Sequence, residues 1–209
     1  MTLCLAMMML LTQDELPIAL SLGGPAPAGV VPDDRFLLRA TGGVWSARSF
    51  DFDATTTASL QLRSSEETLL TAGVDAGMAL YDRVFLFGTL EGAWANDIHA
   101  EVAGLSVGYR DGSDPGASPG VPQEAMIYAG ALFGRFAITT PGFGDFENAL
   151  GGRAGMSFTW KLARTLGLTL AVEYRYLKFD YKDDSTLLTG NESIGGSGIW
   201  AGLGLDLRF

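Results

Sequence analysis

From Phe36 to Phe209, apolar side chains recur at every second position, and this alternation predicts β-strands. The last segment shows it most clearly. Ile199, Ala201, Leu203, Leu205, Leu207 and Phe209 share one face of an extended chain. Trp200, Gly202, Gly204, Asp206 and Arg208 share the other, because a strand sends successive side chains to opposite sides. The same reading sets Leu166, Leu168, Leu170, Val172, Tyr174 and Tyr176 against Thr169, Ala171, Glu173 and Arg175. It sets Leu150, Ala154, Met156, Phe158, Trp160 and Leu162 against Arg153, Ser157, Thr159 and Lys161. Met126, Tyr128, Leu132, Phe136 and Ile138 oppose Ala129, Ala131 and Arg135.

Earlier segments follow suit. Leu70, Ala72, Val74, Ala76, Met78 and Leu80 oppose Thr71, Asp75 and Gly77, and Val84, Leu86, Leu90 and Trp94 oppose Thr89 and Glu91. Alternation is weaker over Phe36–Phe50, with Leu38, Ala40 and Val44 opposite Arg39 and Thr41. It is also weaker over Ile98–Tyr109, with Ala103, Leu105, Val107 and Tyr109 opposite Gly104, Ser106 and Gly108. These eight segments have about the ~9–11 residues a tilted strand needs to cross a bilayer. Tight turns fall at Tyr81-Asp82-Arg83 and Ala163-Arg164-Thr165, and longer connections at Asp51–Glu67, Thr139–Asn148 and Tyr181–Gly196. Short turns at one end and long loops at the other predict an all-β, antiparallel, up-and-down transmembrane barrel of eight strands, with both termini on the periplasmic side. Two connections break the pattern: Asn96-Asp97 is very short for an outer loop, and Asp111–Gln123 is long for a periplasmic turn.

Alternation alone also suits a soluble lipocalin-like barrel with its apolar face inward. Two features favour lipid outside. Tyr109, Tyr128, Phe158, Trp160 and Phe209 cluster toward the periplasmic ends, and Trp94, Phe136, Tyr174 and Tyr176 toward the outer ends, with aliphatic residues between. The opposite face is small and polar, with charges of both signs: Arg39, Arg135, Arg153 and Arg175 against Asp75, Glu91, Glu173 and Asp206. An eight-stranded barrel has room only for side chains, so these eight are expected to form an interior charge network, as a structural plug or the lining of a narrow path.

Composition narrows the classes. Hydrophobic residues make up 47% and charged residues 18%, yet no run approaches the roughly 20 apolar residues of a spanning helix. The 28 glycines lie largely within apolar segments, which disfavours helices. A net charge of −10 without a Lys/Arg cluster argues against nucleic acid as a partner. The lone Cys4 permits no disulfide within the chain. Residues 1–28 are expected to be an export segment, carrying the apolar run Leu3–Leu11 and the small-residue site Ala26-Pro27-Ala28. Residues 29–35 read as a linker and 36–209 as the barrel.

The chain closes on Leu205-Asp206-Leu207-Arg208-Phe209, apolar at alternate positions back from a terminal Phe. This resembles the C-terminal signature of outer-membrane barrels, here Leu203, Leu205, Leu207 and Phe209. In size and layout the chain resembles small barrels of the OmpA transmembrane-domain, OmpX and OmpW type. That resemblance implies outer-membrane lipid and the barrel-insertion machinery as partners.

No catalytic, cofactor or metal site is expected. The lipid A deacylase PagL is similar in size and uses a Ser/His/acid set. The sole histidine here, His99, is followed by Ala100-Glu101 and lacks the serine two residues on that the PagL pattern requires. Asp180, Asp183 and Asp184, beside Lys182, and Asp51 with Asp53 lack Ca²⁺-loop spacing. Gly142–Gly144 and Gly195–Gly198 are not phosphate loops. The expected function is a structural or partner-contacting role through the outer loops, with an unidentified protein as the partner. The alternatives are a narrow solute channel, an OmpW-like passage for small apolar molecules, and a soluble lipocalin-like binder.

Overall fold

The computed structural model describes residues 35–47, 53–55, 61–63, 67–81, 83–95, 98–112, 121–138, 145–163, 165–181 and 193–209. The expected export segment at 1–28 and nearly all of the linker at 29–35 lie outside them. The described strands are β1 (Phe36–Ala47), β2 (Asp53–Thr55), β3 (Gln61–Arg63), β4 (Glu67–Tyr81), β5 (Val84–Ala95), β6 (Ile98–Gly112), β7 (Glu124–Ile138), β8 (Asp145–Lys161), β9 (Leu166–Tyr181) and β10 (Ser193–Arg208).

Eight of them close a barrel in the order β1-β10-β9-β8-β7-β6-β5-β4, with every pairing antiparallel. β2 and β3 form a separate two-stranded sheet within the first long connection, which the sequence reads only as a polar loop. Closure pairs β1 with β10, Arg39 standing opposite Asp206, and the backbone of Phe36 exchanges hydrogen bonds with that of Phe209 at 2.9 and 3.2 Å. A closed ladder leaves no sheet edge, the condition for strands to sit in hydrocarbon. The barrel strands run from 12 to 17 residues, enough to cross a bilayer and project beyond it.

Both irregular connections are present. Ala95 pairs with Ile98, so β5 and β6 join within two residues at the end away from the termini, the far end. Gly112 pairs with Glu124, which leaves the long connection at the terminal end.

The outer wall is apolar. Leu70, Leu90, Leu105, Ile127, Leu150, Ile199, Leu203 and Leu205 all stand exposed on it. Phe36, Tyr81, Tyr109 and Phe209 lie exposed toward the terminal end, and Trp94, Tyr174 and Tyr176 toward the far end. This is the reverse of a soluble barrel, whose greasy side faces inward.

β7 departs from the sequence reading. Met126, Tyr128, Leu132 and Phe136 face the lumen and are buried, while Ile127, Phe133 and Arg135 face outward. Tyr128 and Phe136 are therefore lumen residues and not members of the aromatic bands. Both faces of this strand carry large apolar groups, so alternation has no contrast from which to orient it. The neighbours orient it instead: Arg135 stands opposite Glu101 of β6, which is also exposed.

Candidate functional site: the filled lumen

The inward face of the barrel is layered along its axis. In the terminal half Phe85, Phe87, Met126 and Tyr128 form a small apolar cluster. In the far third Trp45, Leu69, Leu132, Phe136, Leu177, Phe179 and Trp200 form a larger one, with Ala93, Ala100, Val102 and Ala149 between them. Between and beside these clusters lie the charges.

Arg39 of β1 holds Asp206 of the neighbouring β10 in a forked pair, Nε to Oδ1 at 2.7 Å and Nη2 to Oδ2 at 3.0 Å. Its Nη1 reaches Asp75 on the other side, in β4, at 4.0 Å. Thr89 of β5 donates to Asp75 at 2.5 Å and accepts from Arg153 Nη2 of β8 at 2.6 Å. Arg153 also donates to Ser106 at 2.8 Å and lies 3.6 Å from Glu173. Glu173 in turn accepts from Arg175, two residues along β9. Arg175 then spans the lumen to Glu91 of β5, with Nη2 to Oε2 at 3.0 Å and a second, shorter contact through Nη1. Toward the terminal end Arg208 bonds Asp206 at 3.1 Å and grips Glu124 of β7, Nη2 to Oε1 at 2.9 Å. Arg110 approaches Glu124 at 3.7 Å.

Aromatic faces cover what the carboxylates leave. The Arg175 guanidinium lies 4.9 Å from the Trp200 ring and 5.6 Å from Trp45, and Arg110 lies 4.3 Å over Phe85. Trp200 Nε1 donates to Thr71 at 2.7 Å, and Thr159 and Thr169 share a 2.7 Å bond.

Seven of the eight residues expected in an interior network are buried in the lumen: Arg39, Asp75, Glu91, Arg153, Glu173, Arg175 and Asp206. The eighth, Arg135, is not among them. It stands on the outer wall with its side chain 66% exposed and binds Glu101 at 2.7 Å. Glu124, Arg110 and Arg208 complete the set instead. Among the described residues the lumen thus holds Arg39, Arg110, Arg153, Arg175 and Arg208 against Asp75, Glu91, Glu124, Glu173 and Asp206, five charges of each sign. Glu124 had a visible signal in the sequence, since it shares the parity of Met126, Tyr128, Leu132 and Phe136. A carboxylate there points that whole face toward the lumen.

Leu203, Leu205, Leu207 and Phe209 all point outward, and the Phe209 ring stacks on Phe36 with centroids 6.2 Å apart. His99 stacks on Trp94 at 5.8 Å, near the far end of the β5–β6 hairpin.

No protein-family model and no curated protein matches the sequence. Solved structures do. The N-terminal β-barrel domain of Pseudomonas aeruginosa OprF superimposes with a TM-score of 0.53 at 14% identity, covering 84% of this chain and 98% of that one. The fold is that of a small outer-membrane barrel. Neisserial surface protein A matches at a TM-score of 0.49 and 13% identity, over 83% of this chain and 96% of its own. OprG of P. aeruginosa matches at 0.43 and 12%, over 84% and 98%. The likeness in fold and the apolar outer wall agree on a transmembrane β-barrel of the outer-membrane type.

Proposed function

We propose that the chain is a sealed outer-membrane barrel that acts as a structural element and as a platform for partner contacts through its far-end connections. The observation that carries this reading is the filled lumen. Every arginine and carboxylate of the network is engaged by the opposite sign, and the far third above it is packed with Trp, Phe and Leu. Beside Arg39, Arg110, Glu124 and Arg208 the void is about 10 Å³, room for about one water. A conducting pore needs a continuous wet path, and the layer of Trp45, Leu69, Leu177 and Phe179 interrupts it.

The outward stripe Leu203, Leu205, Leu207 and Phe209 supports recognition by the barrel-insertion machinery, because the strand that closes the barrel carries it. Outer-membrane lipid is the partner of the wall, and a protein partner would meet the far-end connections. The test is conductance. Purified protein in planar bilayers is expected to give none above the bare membrane. Steady single-channel steps that disappear in Arg153→Ala would replace the platform with a channel.

A further inference from the structure

The chain has one histidine, and the fold places it on an indole. His99 and Trp94 stand directly opposite each other in the β5–β6 ladder, one step before the pair Ala95 and Ile98 that closes the hairpin. Their rings stack with centroids 5.8 Å apart and planes 10° apart. Gly92 lets the indole lie down along the wall, since a Cβ there would stand 2.5 Å from the ring. Trp94 is exposed and His99 half-buried.

Height gives the stack access to protons. Along β6, His99 lies ten residues from Tyr109, which sits in the terminal aromatic band. At ~3.4 Å per residue and a tilt of ~40°, that is about 26 Å up, at the edge of an apolar span of ~25 Å. The stack therefore meets water at the far interface, and histidine is the side chain that changes charge between pH 5 and 8.

The charges around it are few. Glu101 follows on the same face of β6, and its charge and that of His99 act on each other. Arg135 of β7 binds Glu101 at 2.7 Å, so these two offset each other. Leu90, Gly92 and Trp94 of β5 bring no charge, and Asp97 in the connection lies outside the described residues. The indole is thus the neighbour that tells a charged imidazole from a neutral one. A cation within about 6 Å of the centroid of an indole is drawn to its face.

We propose that the His99–Trp94 stack is a proton-operated latch on the β5–β6 hairpin, the shortest far-end connection. Neutral His99 stacks as one ring on another. Protonated His99 adds a cation–π contact and pins the two strands where they turn. The charged ring is the form that gains, so the added stability is present at pH 5 and fades as the pH rises to 8.

The test is urea unfolding of the full chain in lipid vesicles at pH 8 and pH 5, with His99→Phe as reference. That variant keeps an aromatic stack and cannot take up a proton, so effects of acid on the rest of the barrel cancel. Between pH 8 and pH 5 the wild type is expected to gain about two- to fivefold in its folding equilibrium over His99→Phe, the factor of one exposed cation–π contact. In a Trp94→Leu background the same comparison is expected to show no gain. Parallel changes in wild type and His99→Phe overturn the proposal, as does a gain that persists in Trp94→Leu. Fluorine NMR of the chain carrying 5-fluorotryptophan reads the stack without unfolding. The Trp94 signal, assigned by its loss in Trp94→Leu, is expected to move between pH 8 and 5 in the wild type and to stay in place in His99→Phe. A Trp94 signal that is still in the wild type, or moves equally in both, also overturns it. Heat-modifiable gel mobility shows whether each variant has folded.

Discussion

Arg175 of β9 and Glu91 of β5 join strands that stand opposite each other in the eight-membered ring, so their forked ion pair ties the barrel across its full width. Both side chains are almost completely buried. Removing one partner of a buried pair strands the other as an uncompensated charge. Arg175→Met leaves Glu91 without its cation and Glu173 with Arg153 alone, and it is expected to lower stability by about 3–5 kcal/mol. Urea unfolding in lipid vesicles reads this directly. Adding Glu91→Gln should recover part of the loss, because the two positions act as one unit. A single variant that unfolds at the wild-type urea concentration would show that the pair does not brace the lumen.

Arg135→Ala gives the opposite expectation. Its ion pair with Glu101 stands on the wall near the far interface, where water and headgroups screen it and exposed pairs contribute little. The unfolding midpoint should match the wild type, whereas Arg153→Ala, buried against Glu173, Ser106 and Thr89, should lower it clearly. Equal effects from the two would contradict their placement on opposite faces.

Leu203 sits midway along β10, paired with Leu170 of β9, and both side chains are exposed on the wall. In water such a position tolerates a charge. In hydrocarbon, Leu203→Arg should cost about 2–4 kcal/mol. Vesicle-based folding titrations measure it, and an unchanged titration would remove lipid from this face.

Trp200 needs the floor beneath it. A Cβ at Gly43 would lie 2.5 Å from the Ala201 carbonyl oxygen and 2.9 Å from the Trp200 ring. Gly43→Val is therefore expected to displace the indole, break its bond to Thr71 and change the near-ultraviolet circular dichroism. Gly42→Ala is the control: the nearest atom to a Cβ there is 3.8 Å away, and the spectrum should be preserved.

Much of this architecture was readable from alternation. On β1, β4, β8, β9 and β10 one face carries Arg, Asp, Glu or Thr and the other carries Leu, Val or Tyr. That contrast orients the strand and places Arg39, Asp75, Arg153, Glu173, Arg175 and Asp206 inside. β7 lacks the contrast, because its lumen face is built from Met126, Tyr128, Leu132 and Phe136. Its one arginine stands near the interface, where an outward cation is tolerated. The layer that blocks the lumen was hidden for the same reason. Its members are spread over β1, β4 and β9, and only the register brings Trp45, Leu69 and Leu177 together, with Phe179 the next inward residue beyond them.

That layer also decides what the surrounding medium can reach. Dissolved ions screen a charge pair only where water carries them to it, over about 8 Å at physiological ionic strength. In the sealed barrel proposed above they stop at Trp45 and Phe179, short of Glu91 and Arg175. Rising salt should thus loosen Glu101 from Arg135 on the wall and leave the lumen pair untouched. One small barrel holds both a salt-tuned contact and an insulated one, separated by little more than the thickness of a single β-sheet.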